Sequence, residues 1–289
     1  MTSPRIDRRS LLTGAAGVAA LSLMPGKRIT SDRAGGARII HFPHFVCGTL
    51  RWPPAFNAQQ NAEEEILTSA AANGDTKIPD KKQVMLLLDR VKNNLIWTQP
   101  KVLKAFGENE LEGLKLSAPS VSGEIFMSED LDILTKMTDE LLVNAQDWKK
   151  LYFVELYGIA TAEKGIKALD KMEALTHFTM FSEGFDARAL AGKPFMRNLK
   201  YLKLCGLTNI NDLLLSLNGY QKLEALLLHK MNIDNESITA LKSCNHLEFI
   251  EIKKVPINRE ILEELNKLPK LKAVRFYHCS GLDDTLLPT

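Results

Sequence analysis

The chain has 289 residues, 45% hydrophobic and 25% charged, a balance that sustains a buried core in one long domain or two short ones and excludes a disordered composition. Its formal charge is +2, and setting aside residues 1–26, with three Arg and one Asp, brings it to zero, so it lacks the broad cationic field that drives binding to nucleic acid. The four cysteines, Cys47, Cys205, Cys244 and Cys279, show no C-x-x-C spacing, which excludes the common zinc and dithiol motifs.

At the N-terminus, Asp7-Arg8-Arg9-Ser10-Leu11-Leu12 sets paired arginines before a mildly apolar run to Met24, which Pro25-Gly26-Lys27-Arg28 ends. The run is shorter than the roughly 20 apolar residues of a membrane-crossing helix. Its shape is that of a signal peptide, and residues 1–28 resemble a bacterial twin-arginine export signal. The resemblance implies export to the periplasm or cell envelope. No other stretch is apolar for long enough to give a stable membrane span.

Residues 29–57, with Pro43, Pro53 and Pro54, read as a linker. Within them His41-Phe42-Pro43-His44-Phe45-Val46-Cys47 offers two imidazoles and a thiol, so His41, His44 and Cys47 are the candidate metal ligands. Pro43 keeps the histidines off helical spacing and no fourth ligand is evident; the expectation is therefore no metal and no cofactor. Residues 58–110 read as an N-terminal cap or incomplete repeat. In them Ala58 to Ala72 has the spacing of a helix stopped by Asn73-Gly74, and Val84 to Leu88 that of a strand.

From Leu111 onward the chain repeats itself. Leu175, Leu199, Leu223, Leu247 and Leu271 each open an L-x-x-L-x-L-like hexad, always 24 residues apart. The copies are Leu175/Phe178/Met180, Leu199/Leu202/Leu204, Leu223/Leu226/Leu228, Leu247/Ile250/Ile252 and Leu271/Val274/Phe276. Trp148/Leu151/Phe153 reads as a sixth copy, offset by 27, and Leu111/Leu114/Leu116 as a degenerate earlier one. An extended hexad points alternate residues to opposite faces, so each unit has an apolar side that one strand cannot bury alone. The second half of each unit has helical spacing, as in Leu214/Leu217, Ile238/Leu241 and Leu262/Leu265/Leu268. Asp212 and Asn235 are expected helix starts, and Asn218-Gly219 an expected stop.

These hexads resemble those of leucine-rich repeat proteins. The resemblance covers residues 111–289 and implies an α/β solenoid, with a parallel sheet on the concave face and short helices on the convex face. Where that family often carries Asn or Cys three residues past the hexad, this chain has Glu183, Leu207, Met231, Val255 and Cys279, so apolar packing is expected in place of an asparagine ladder. At the last strand, Lys272 and Arg275 are expected to keep the sheet edge from pairing.

The outward hexad positions form columns, and in this family such columns are where partners bind. One reads Tyr152, Thr179, Lys203, Leu227, Glu251, Arg275; the next Val154, Phe181, Cys205, His229, Lys253, Tyr277; a third Lys150, His177, Tyr201, Ala225, Phe249, Ala273. Aromatics beside Arg and Lys suit a protein-binding face. The candidate binding residues are Tyr201, Lys203, Leu227, His229, Phe249, Glu251, Lys253, Arg275 and Tyr277. Cations toward the C-terminal half, including Lys230, Lys254 and His278, would also attract an anionic glycan. The chain carries no G-x-S-x-G elbow, no phosphate-binding loop and no H-E-x-x-H motif. The reading is a non-enzymatic protein-binding scaffold of the bacterial envelope; the alternatives are an envelope enzyme or metal protein with its chemistry in residues 29–110, and a cytoplasmic scaffold.

Overall fold

The computed structural model describes residues 30–34, 37–42, 48–52, 68–72, 75–79, 83–89, 94–107, 110–118 and 128–282. The arginine pair, His44, Cys47 and most of the helix expected over 58–72 lie outside them. Thirteen strands are described: β1 (Thr30–Ala34), β2 (Ala37–His41), β3 (Thr49–Trp52), β4 (Thr68–Ala71), β5 (Asp75–Pro79), β6 (Met85–Asp89), β7 (Gly113–Ser117), β8 (Phe153–Tyr157), β9 (His177–Phe181), β10 (Tyr201–Cys205), β11 (Ala225–His229), β12 (Phe249–Lys253) and β13 (Ala273–Tyr277). They build an open, mixed α/β arrangement. A ten-stranded sheet runs β13-β12-β11-β10-β9-β8-β7-β6-β3-β4, parallel from β6 to β13 and antiparallel at β3 and β4, beside a small antiparallel sheet β1-β2-β5.

The parallel register follows the sequence period. Leu202 pairs with Leu226, Leu226 with Ile250 and Ile250 with Val274, each 24 residues on, so identical positions of successive units stack. Leu202, Leu204, Leu226, Leu228, Ile250 and Ile252 are 0% exposed, and each contributes about 1.5–3 kcal/mol of burial free energy. Between the repeat strands the chain returns through Glu163–Leu169, Ile210–Ser216, Asn235–Ala240 and Arg259–Asn266 as α-helices, and through three 3-10 turns, Ala187–Leu190, Pro194–Asn198 and Leu241–Ser243. At the positions three residues past the hexad, Leu207, Met231 and Val255 are buried, and the Cys279 thiol donates to the Ile252 carbonyl at 3.3 Å.

Five of the parallel strands share one backbone device at their exits. Gly158, Gly206, Lys230, Lys254 and His278, the residues directly after β8, β10, β11, β12 and β13, all have φ between 51° and 76°. The N–H of the residue after each strand still reaches the next strand: Gly206 N donates to His229 O at 3.0 Å, Lys230 N to Lys253 O at 2.8 Å and Lys254 N to Tyr277 O at 2.9 Å. Ala118 N and Ser182 N make the same bond without a left-handed φ, so the bend at the five exits turns the chain out of the strand after the ladder's last bond.

Several sequence expectations are corrected. The sixth copy is Leu151/Val154/Leu156 rather than Trp148/Leu151/Phe153: Val154 pairs with Phe178 and Leu156 with Met180, which restores the 24-residue step. Bulky apolar Trp148 and Phe153 satisfy the pattern equally well on paper, but Phe153–Tyr157 is the strand, and it carries Val154 and Leu156 into register with β9. The stretch read as a linker carries β1, β2 and β3, and Thr68–Ala71, expected as the end of a helix, is strand β4 paired with β3. Asn235 lies just inside its helix; the cap is Asp234, which accepts from Ser237 N at 2.8 Å. Asp212 lies inside the helix Ile210–Ser216, whose cap position is Asn209.

The helix Ser128–Ala145, between β7 and β8, was not anticipated. It buries Leu134, Leu141, Leu142 and Ala145 and positions the next helix through Asp139. This buried carboxylate accepts from Thr161 Oγ1 at 2.6 Å and from Ala162 N at 2.9 Å, so it caps Glu163–Leu169 from outside that helix. Gly165 leaves room for the contact, because a Cβ there would collide with Thr161 Oγ1 and Asp139 Oδ1. At the other end of the sheet, Arg38 of β2 donates to both Glu112 oxygens, at 3.1 and 3.2 Å, and Val84 N donates to the same carboxylate at 2.8 Å. One carboxylate thereby ties the small sheet to the large one.

Candidate binding face

Alternation along each strand leaves one face of the sheet to residues that the core does not need. The register puts them in three columns. The first is Gly113, Phe153, His177, Tyr201, Ala225, Phe249, Ala273; the second Lys115, Glu155, Thr179, Lys203, Leu227, Glu251, Arg275; the third Ser117, Tyr157, Phe181, Cys205, His229, Lys253, Tyr277. All nine candidate binding residues lie in these columns. At the N-terminal side the expected heads, Lys150, Tyr152 and Val154, give way to Phe153, Glu155 and Tyr157, because the register there shifts with the corrected repeat. Val154 points into the core at 0% exposure.

The nine residues are not equally open. Leu227, His229 and Phe249 are 5%, 6% and 3% exposed, and Ala225, Leu227 and Phe249 form a small apolar cluster on the face with Tyr201 against it. Their cover comes from their neighbours. The Arg275 guanidinium lies 5.2 Å from the Phe249 ring centre, and His229 Nε2 lies 2.8 Å from Glu251 Oε1. Tyr201, Lys203, Glu251, Lys253, Arg275 and Tyr277 are half-buried and form the part of the set that solvent reaches.

Cations and rings interleave along the face. Lys115 Nζ stands 5.2 Å from the Tyr157 ring centre, Lys203 Nζ 5.3 Å from Phe181 and Lys253 Nζ 5.9 Å from Tyr277. All are within the range of cation–π attraction. Lys115 also bonds Glu155 at 2.6 Å. Beside this, Tyr152, His177 and Tyr201 form an aromatic row, with ring centres 5.3 Å and 5.7 Å apart. The Tyr152 hydroxyl donates to Gln83 at the rim of a shallow cleft that Val84, Met85, Glu112, Gly113 and Phe153 complete.

Partial burial sets the electrostatics. Burial holds His177 neutral by pushing its pKa down to about 4, raises Tyr152 to about 12 and raises Tyr201 further. Burial lowers Lys203 below the usual lysine range, against the opposing pull of Glu251 and Glu155. Glu251 sits below the usual carboxylate range, first because His229 hydrogen-bonds its charged form. Burial raises the Cys205 thiol, which makes it a poor nucleophile although His229 is its strand neighbour. The face thus offers fixed charge and aromatic area.

The cations expected to cluster at the C-terminal half are divided. His229 turns to Glu251, and Lys230 reaches Glu183 at 3.4 Å. Of the metal candidates, His41 Nδ1 lies 2.7 Å from Asp75 Oδ1; among the described residues no group of three or more His, Cys, Asp or Glu is placed to hold an ion. No helix among the described residues is long and apolar enough to cross a membrane. Residues missed from sequence are Glu155 and Tyr157, whose signal was the 24-residue step back to Leu151, and Lys115, which lies 40 residues before Glu155 in the Leu111/Leu114/Leu116 copy. A scan against protein-family models matches none, and a search of curated proteins finds no match.

Proposed function

We propose that the chain is a leucine-rich-repeat solenoid that binds another protein on the outward, concave face of its parallel sheet. On this reading it is a non-catalytic scaffold of the bacterial cell envelope, exported through its paired arginines. The single observation that supports binding is the interleaving of cations with rings across adjacent strands, from Lys115–Tyr157 through Lys203–Phe181 to Arg275–Phe249. Lysine and arginine are rotamer-rich, and ordering each on binding costs about 0.5–1.5 kcal/mol. Held against rings beforehand, they lose less of that freedom when a partner arrives. Tyr201 and Tyr277 add amphipathic area of the kind that dominates binding energy at interfaces.

The test is affinity capture from envelope extract, comparing the unaltered chain with Tyr201→Ala/Lys203→Glu/Tyr277→Ala. These positions are half-buried rather than core, so circular dichroism and melting should show both proteins folded. A protein retained by the first and lost from the second supports the reading. Equal capture, or none, contradicts it, and capture of a polysaccharide instead moves the reading to an anionic glycan. Export is tested separately by fusing residues 1–40 to a reporter, with transport expected to stop when Arg8 and Arg9 become Lys.

A further inference from the structure

The columns of the outward face carry Lys115, Lys203, Lys253 and Arg275. Lys115 donates to Glu155 at 2.6 Å. Lys203, in the middle of the face, has a ring beneath it but no acceptor. Its Nζ stands 5.3 Å from the Phe181 ring centre, and among the described residues it makes no hydrogen bond and no ion pair.

The two carboxylates whose charge reaches Lys203 are held elsewhere. Glu155 is bonded to Lys115, and Glu251 lies 2.8 Å from His229 Nε2. Their pull does not offset burial, which lowers the Lys203 pKa. The amine has therefore lost part of its hydration without gaining a partner inside the chain. Its neighbours in register do not supply one. Thr179 on β9 and Leu227 on β11 are 4% and 5% exposed, and Leu227 belongs to the apolar cluster with Ala225 and Phe249. With the sheet closed on both sides, an acceptor reaches the amine from the open side of the face.

We propose that Lys203 anchors an acidic side chain of the protein partner, an Asp or Glu whose carboxylate bonds the Lys203 amine while the atoms around it cover Phe181 and Leu227. The proposal rests on the protein-binding reading above and names the chemistry of the partner at this point of the face. A carboxylate forms a charge-assisted hydrogen bond with an ammonium whose dehydration is already partly complete. A neutral or cationic group set over Lys203 would instead bury the amine without a partner, which costs free energy.

The test is carbodiimide coupling in envelope extract. The reagent activates a carboxyl group, the Lys203 nitrogen displaces the activated oxygen, and an amide forms as the reagent leaves as its urea. A peptide containing Lys203 joined to an Asp or Glu of another protein is the expected product. Without the reagent, Lys203→Arg is expected to keep capture within about threefold because the charge remains, and Lys203→Gln to lower it about tenfold or more. The amide in the unaltered chain is a readout that stands even where Lys203→Gln does not fold. Coupling of Lys203 to Glu155 or Glu251 of its own chain overturns the proposal, since the amine then has an acceptor within the fold. Coupling to a uronic acid overturns it in favour of an anionic glycan. A captured protein with no linkage at Lys203, or one held equally by Lys203→Gln, overturns the proposal and leaves the protein-binding reading standing; absence of any captured protein overturns both.

Discussion

The left-handed residues at the strand exits allow a paired test of why the units stack as they do. Gly206 and Lys230 are equivalent positions one unit apart, with φ of 76° and 52°, and both send their N–H to the next strand. A left-handed residue with a Cβ is disfavoured by about 1–2 kcal/mol, while glycine gives back about 0.5–1 kcal/mol through its larger loss of backbone entropy. Lys230→Gly is therefore expected to stabilise the chain by roughly 0.5–1 kcal/mol. The Lys230–Glu183 pair it removes is exposed and long at 3.4 Å, so little is lost there. Gly206→Ala is expected to cost about 1–2 kcal/mol from the same torsional term. It also brings a Cβ to 3.1 Å from Glu183 Cγ and 3.3 Å from its Cα. Urea unfolding followed by circular dichroism should show the two midpoints moving in opposite directions with an unchanged slope. A destabilising Lys230→Gly together with a harmless Gly206→Ala would refute the reasoning, since the bend would then not be what these two exits require.

Gly165→Ala should destabilise by about 3 kcal/mol, since it overpacks the junction and breaks the Asp139 cap; Asp139→Asn, which keeps the volume, should cost less in the same urea assay. Glu112→Ala should cost about 2–3 kcal/mol because it strands a half-buried Arg38 and the Val84 amide, and it should open exchange in β2 before the rest of the sheet. The pH dependence follows from His177. Its folded pKa, about 4, lies below the unfolded 6.5, so the unfolded chain takes up the proton first and stability falls as pH drops from 6.5 toward 4. At about 1.4 kcal/mol per unit this amounts to at most about 3 kcal/mol. His177→Phe should flatten the stability profile across that window, and an unchanged acid limb would count against a buried neutral imidazole.

The repeated part of the fold was legible because its strands, spaced by one constant period, each spend their apolar residues on one face. Val154 and Leu156 were misassigned only because Trp148 and Phe153 match the same apolar template, and nothing local to the hexad distinguishes a step of 27 from one of 24. The rim was not legible. Thr68–Ala71, Thr-Ser-Ala-Ala, has no apolar alternation, and its strand conformation comes from pairing with Thr49–Trp52. On the face, alternation identified which residues point outward, but not which of them stay open. Phe249 is covered because Arg275, 26 residues later, lies over it, and His229 because Glu251 turns to it. Those contacts run between neighbouring strands, where a single-chain pattern carries no record of them.

The central claim is that a protein partner meets the outward face, and the most direct measurement is site-specific photocrosslinking in intact envelope. A photoreactive residue would be placed at Lys203, in the middle of the face, and in a second protein at Lys167, on the exposed helix Glu163–Leu169. The account predicts one discrete protein adduct from position 203 and none of the same mass from position 167. An identical adduct from both positions, or an adduct from 167 alone, would contradict it.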